Sequence, residues 1–126
     1  DAWIEERSNN ANIYETFFTE QDGITVAVPP EGVKRAHFRF TALFDCSKRR
    51  NFVVNQLQKS GIPASVGPCP EIFKEEAFSS ASFETPDSLP VASDLGGRTM
   101  QLLVHPGLQK HVLQVCDAVT ALFPCV

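Results

Sequence analysis

An α+β fold, a small antiparallel β-sheet covered by helices, is what this sequence predicts, and three features carry the prediction. From Arg35 to Phe44, the residues Ala36, Phe38, Phe40, Ala42 and Phe44 alternate with Arg35, His37, Arg39 and Thr41, broken only by Leu43. A period of two means one buried face and one partly wet face, which an antiparallel sheet supplies. Residues 47–60 and 108–123 carry apolar stripes at helical spacing, and residues 24–28 and 99–104 read as further short strands. With 126 residues, 43% hydrophobic and 21% charged, the chain suits one globular domain rather than a disordered or fibrous one. A net charge of −4 excludes a global basic field, so no nucleic-acid partner is expected. Nor is a membrane partner expected, because no apolar run reaches the roughly 20 residues that span a bilayer.

The elements follow in order. Residues 1–20 predict a helix, with Ile4, Ala11, Tyr14 and Phe18 on one stripe that Trp3 and Phe17 widen. Asp22-Gly23 ends it, and Pro29-Pro30 closes the first strand because proline cannot continue a central ladder. Asp45 or Ser47 can cap the helix over 47–60, where Val53 and Leu57 face inward and Gly61 is the C-terminal stop. Residues 62–66 are extended and Gly67-Pro68-Cys69-Pro70 forms a rigid loop. Residues 71–78 suit one or two helical turns, and residues 79–88 read as loop. Residues 89–95 predict a short helix ended by Gly96-Gly97. After the strand at 99–104, His105-Pro106-Gly107 turns into a last helix with Leu108, Val112, Val115, Cys116, Val119 and Leu122 on one stripe.

Cys46, Cys69, Cys116 and Cys125 are widely spread, without zinc-knuckle or CxxC spacing. Reduced thiols in a cytoplasmic protein are the favoured reading over two disulfides in a secreted domain, and Cys116 falls in a core stripe. A chain that starts at Asp1 with its single methionine at Met100 is expected to be processed or cut from something longer. No uncleaved secretory signal is legible at its start.

Chemistry is sparse. No phosphate-cradling glycine loop or nucleophile elbow occurs. His37, His105 and His111 have no spacing of a ligand set, with His37 expected on the polar face of a strand and His111 on the outside of a helix. Lys48-Arg49-Arg50 at a helix start could hold a phosphate, although solvated charges with one salt bridge are the simpler reading. Lys74-Glu75-Glu76 reads as an exposed face. Cys69 has no base placed for it, so no catalytic residue and no metal site is expected.

The run Arg50, Leu57, Gly61-Ile62 and Pro70 resembles the C-terminal part of the DegT/DnrJ/EryC1/StrS aminotransferases, pyridoxal-phosphate enzymes that aminate keto-sugar nucleotides. Leu89-Pro90-Val91-Ala92 resembles that family's short helix, and residues 103–108 its strand-to-last-helix turn. Arg7, Asn10, Ala11 and Tyr14 resemble the helix that links the large and small domains. The resemblance covers nearly the whole chain. It implies one domain over 1–126, with a linking helix at 1–20 and an α+β body at 21–126, like the C-terminal domain of fold-type I aminotransferases.

The resemblance also implies what the chain should lack. In the family, a larger N-terminal domain carries the Schiff-base lysine and the aspartate that pairs the pyridine nitrogen. None of Lys34, Lys48, Lys59, Lys74 or Lys110 lies in a sequence resembling that motif, so the isolated chain is expected to bind no cofactor and to be inactive. Pyridoxal phosphate, the large domain and a homodimer are implied for the complete enzyme. The substrate-facing loop implied here comprises Ser65, Gly67, Cys69, Glu71 and Phe73. Its usual histidine and tyrosine contacts are replaced by Gly67, Pro68 and Ile72, and Gln109 stands where the family caps its last helix with Ser or Thr. A stand-alone binding module descended from such a domain is the other reading the sequence leaves open.

Overall fold

The computed structural model describes residues 2–68, 70–78, 80 and 89–123. Four helices and four strands follow one another as α1 (Ala2–Thr19), β1 (Ile24–Val26), β2 (Phe40–Phe44), α2 (Ser47–Lys59), β3 (Ser65–Val66), α3 (Pro90–Arg98), β4 (Thr99–Leu102) and α4 (Gln109–Leu122). Two 3-10 turns, Ile72–Lys74 and Glu76–Phe78, lie between β3 and α3, where one or two helical turns are expected. The strands form one sheet in the order β1-β2-β4-β3, and every pairing is antiparallel. The fold is therefore α+β, as the sequence predicts. None of the helices in the described residues is long and apolar enough to cross a membrane.

The register places Phe40 opposite Leu102 and Ala42 opposite Met100. These four, with Phe44, are buried on one face, while Thr41, Leu43, Thr99 and Gln101 of the other face retain exposure. Helices α1, α2 and α4 supply the covering layer through Ala11, Tyr14, Phe18, Val53, Leu57, Val112 and Val119. Aromatic packing knits the layers together, with ring centroids 5.2 Å apart for Tyr14–Phe40 and 5.5 Å for Phe18–Phe40.

Three expectations need correction. The long strand over 35–44 is only its second half, β2, and Phe38 is 78% exposed rather than buried. Alternation records which residues could face a core but not how far a partner strand extends. Here β4 ends opposite Phe40 and β1 pairs no further back than Ala42, so residues 35–39 have no ladder to join. They belong instead to a loop in which the Arg35 guanidinium donates to the Ala27 carbonyl and His37 adopts a left-handed φ of 46°. His37 accordingly sits in that loop and not on a strand face.

Helix α3 also runs past its expected stop, through Gly96-Gly97 to Arg98. Arg98 holds the last turn by pairing with Asp94 and donating to the Phe44 carbonyl at 2.7 Å. Gly96 is there for contact rather than termination, since a Cβ on it would lie 2.4 Å from Cγ of Pro70.

The N-terminal helix divides in two. Asn10, Ala11, Tyr14 and Phe18 are buried against the body, whereas Trp3 and Ile4 of the expected stripe are 69% and 39% exposed. Cys116 is buried in the core, as its stripe implies, and Cys46 is exposed at the start of α2. Both are free thiols. Cys69 and Cys125, and the loop expected over 79–88 apart from Ser80, lie outside the described residues.

Candidate functional site

The loop expected to face a substrate leaves the sheet at its edge. Ser65 and Val66 pair with Gln101 and Met100, and the Gly67 amide continues the ladder by donating to the Thr99 carbonyl at 3.4 Å. The approach is close, since a Cβ on Gly67 would meet the Thr99 side chain at 3.1 Å. Ser65 and Gly67 are half-buried, Pro68 is exposed, and Cys69 lies outside the described residues.

Pro70 packs against the bare face of Gly96, so the loop rests on α3. Glu71 is the anchor. Its side chain is buried rather than presented outward, and it accepts from the Lys74 ammonium at 2.7 Å, from the Ser93 hydroxyl and from the Leu89 amide at 3.2 Å. Helix α3 starts with Leu89 as its cap residue, which has no side chain able to cap, and the Glu71 carboxylate supplies an acceptor from a remote segment. Hydrogen bonds from Lys74 and Ser93 hold the Glu71 carboxyl at about 2, far below its ordinary range, against the opposing effect of burial. Phe73 is half-buried, with the Lys74 ammonium 5.8 Å from its ring centroid, and Ile72 is 66% exposed. The loop thus shows solvent Pro68 and Ile72, while Glu71 is spent on holding it in place.

Arg50 supports the same region from behind. It is 7% exposed, and its guanidinium donates to the Thr99 carbonyl at 2.6 Å, the Gly96 carbonyl at 3.3 Å and Oδ1 of Asn51 at 2.8 Å. This corrects the solvated-charge reading: Arg50 is buried and satisfies carbonyls at the α3–β4 junction. Its neighbour Arg49 donates to the Asp22 carbonyl at 2.7 Å and stacks 4.8 Å from the Phe123 ring centroid. Lys48 alone of the three is exposed.

Two residues were missed by sequence reasoning. Ser93 gives no signal, being one serine among many until Glu71 folds against it. Asn10 appears in the sequence only as part of a resemblance, yet its amide donates to the His105 carbonyl at 2.8 Å and the Val104 carbonyl at 3.4 Å. The Gly107 amide donates to Glu6 at 3.0 Å, a second tie between α1 and the turn before α4.

The described residues hold no cluster of His, Cys, Asp or Glu suited to a metal. His105 and His111 are exposed, and Lys34, Lys48, Lys59, Lys74 and Lys110 are all exposed as well. These lysines do not fit pyridoxal phosphate, which needs a lysine enclosed beside the ring so that its amine is held unprotonated.

Comparison with known proteins agrees with the geometry. The model of the DegT/DnrJ/EryC1/StrS aminotransferase family matches residues 1–120. No curated protein sequence matches the chain. Among solved structures, an aminotransferase from Psychrobacter cryohalolentis superposes with a TM-score of 0.85 at 24% identity, over 99% of this chain and 35% of that one. TlmJ from Streptoalloteichus hindustanus gives 0.84 at 21%, over 98% and 32% respectively. Helicobacter pylori PseC, an aminotransferase involved in the biosynthesis of pseudoaminic acid, gives 0.81 at 20%, over 98% and 33%. The chain therefore spans about a third of the length of these neighbours. At such identities the structures speak to the fold, and the family model speaks to descent: this chain belongs to the DegT/DnrJ/EryC1/StrS aminotransferase family.

Proposed function

We propose that this chain is the C-terminal small domain of a pyridoxal-phosphate-dependent sugar aminotransferase, a cytoplasmic homodimer whose large domain holds the cofactor. Coverage carries the reading: the family match runs over residues 1–120, whereas the solved aminotransferases are about three times longer than the part this chain matches. Five exposed lysines support placing the cofactor elsewhere. On this reading, residues 1–20 link the two domains and residues 21–126 form the small body. The exposure of Trp3 and Ile4 at the start of α1 supports a helix whose first turns serve another domain.

The chain's own contribution is positional. Ser65, Gly67, Cys69, Glu71 and Phe73 belong to the loop that meets the large domain and the sugar substrate, with Glu71 and the Pro70–Gly96 contact holding its shape. A prefixed geometry suits this role, because a rigid loop loses little entropy when it closes on a ligand.

The test is borohydride trapping with pyridoxal phosphate, followed by peptide mapping. The isolated chain is expected to show no stoichiometric adduct, and a complex with the large domain to show one at a large-domain lysine. One stoichiometric adduct on any of the five lysines here would overturn the assignment. In the verified complex, alkylation of Cys69 is expected to slow, and unchanged reactivity would remove the loop from the contact.

A further inference from the structure

Strand β1 forms one edge of the sheet and β3 forms the other. The β3 edge is blunted, being only Ser65–Val66 with Pro68 close behind. The β1 edge is not. Residues 24–28, Ile-Thr-Val-Ala-Val, carry no charge, and Thr25, Ala27 and Val28 are exposed. The ladder on the inner side shows which backbone groups point outward. The Asp45 amide donates to the Gly23 carbonyl at 2.7 Å, and bonded pairs alternate along an antiparallel ladder, so Thr25 and Leu43 are the next bonded pair. The amide and carbonyl of Val26 therefore face away from β2, and no described residue pairs with them there. Ile24 differs, since its amide donates to the Gln21 carbonyl at 3.3 Å and only its carbonyl is left outward. Val28 precedes Pro29, which restricts it to extended backbone, and Pro30 has no amide to carry a ladder further.

We propose that β1 is a docking edge for a second copy of this chain, paired antiparallel about a two-fold axis at Val26, so that the two sheets become continuous. The unequal states of Ile24 and Val26 set this register. An axis at Thr25 would place Ile24 opposite Val26 and call on the Ile24 amide, which is already occupied. With the axis at Val26, the two Val26 residues exchange amide-to-carbonyl bonds, and each Val28 amide donates to the other copy's Ile24 carbonyl. None of these bonds needs the Ile24 amide. On the core-side face the β-branched Ile24 and Val28 stand opposite each other, and on the open face Thr25 stands opposite Ala27, so no like charges meet. A second copy fits better than an arbitrary strand. Its own occupied amide falls where no bond is asked of it, and its own proline stops the ladder at the matching end. This edge lies across the sheet from the loop at 65–73, and the pairing does not depend on the aminotransferase reading.

The test is made on the purified chain. Translational diffusion measured by NMR should slow with concentration and give a Kd of roughly 0.1–1 mM, as suits an interface well below standard size. In a sample mixing labelled and unlabelled chains, intermolecular contacts between the α protons of Thr25 and Ala27 are expected, which mark this register. Two variants then separate a defined register from general stickiness. Thr25→Lys/Ala27→Lys sets like charges opposite each other and should weaken pairing about ten-fold. Thr25→Lys/Ala27→Glu sets opposite charges there and should return the affinity to within about three-fold of the unaltered chain. Both positions are exposed, so both variants should fold, which circular dichroism checks. A chain that stays monomeric up to about 2 mM, intermolecular contacts in another register, or equal affinities for the two variants would each overturn the proposal.

Discussion

The Asn10 side chain in α1 donates a 2.8 Å hydrogen bond to the His105 carbonyl, joining residues that lie 95 positions apart. The same amide reaches the Val104 carbonyl at 3.4 Å, so one buried side chain satisfies the end of β4 where the chain leaves the sheet. Leucine at this position would pack but would strand two carbonyls. Asn10→Leu is expected to lower stability by about 1–3 kcal/mol in urea unfolding, the cost of buried unsatisfied acceptors. A loss under about 0.5 kcal/mol would mean that water replaces the amide.

Phe40 and Phe38 separate the half of the alternating segment that joins the sheet from the half that does not. Phe40 is 2% exposed and packs on Tyr14 and Phe18, so Phe40→Ala should cost about 3–5 kcal/mol. Phe38 is 78% exposed, and Phe38→Ala should change stability by less than about 0.5 kcal/mol. Similar losses at both positions, measured by denaturant titration, would mean that the strand extends back through residue 38.

Gly96 and Gly97 sit side by side in α3 and should respond with opposite signs. At Gly97 a Cβ meets nothing within 4 Å, so Gly97→Ala should stabilise by about 0.5–1 kcal/mol through helix propensity. At Gly96 a Cβ would lie 2.4–2.9 Å from three atoms of the Pro70 ring, which cannot swing aside as a flexible chain end does. Gly96→Ala should cost about 1–3 kcal/mol despite the same propensity gain. Thermal unfolding of the two variants decides it, and equal shifts would show that Pro70 does not rest on Gly96.

Glu71 makes stability depend on pH in a defined window. Its carboxyl is held at about 2 in the folded chain, whereas an unfolded glutamate titrates near its ordinary value of about 4.3. Between those values the unfolded chain binds the extra proton, so stability rises with pH across the window. The contribution is fully present above about pH 5 and is lost as pH falls through 2. Glu71→Gln should lower stability at pH 7 and flatten the acid limb of the stability profile between pH 5 and 2. An acid limb of unchanged slope in the variant would show that Glu71 is not the group responsible.

Much of this architecture was legible in the sequence because it rests on short-range periodicity. The stripes in α2 and α4 and the run Phe40, Ala42, Phe44 each reflect a repeat that any window of ten residues contains. The loop at 65–73 was legible as a loop because its prolines exclude regular structure. What its residues do was not legible. Glu71 looked like a residue to be displayed and is an internal anchor, because its partners Leu89 and Ser93 are 18 and 22 positions away. Arg50 looked solvated for the same reason, since the carbonyls it meets belong to Gly96 and Thr99.

The sequence by itself determined the α+β class, the placement of the helices and strands apart from the first half of the 35–44 segment, the burial of Cys116 and the family resemblance over nearly the whole chain. The class, the elements and the burial of Cys116 follow from residue type and spacing along the chain, which hydrophobic burial translates into local structure, whereas the resemblance rests on matched motifs. The tertiary structure decided where β2 begins, why α3 continues through two glycines, and how the Glu71 charge is spent. Those outcomes depend on which distant backbone groups and side chains arrive alongside. A ladder needs a partner strand, a glycine's value depends on what approaches it, and a buried carboxylate is stable only where donors from other segments converge.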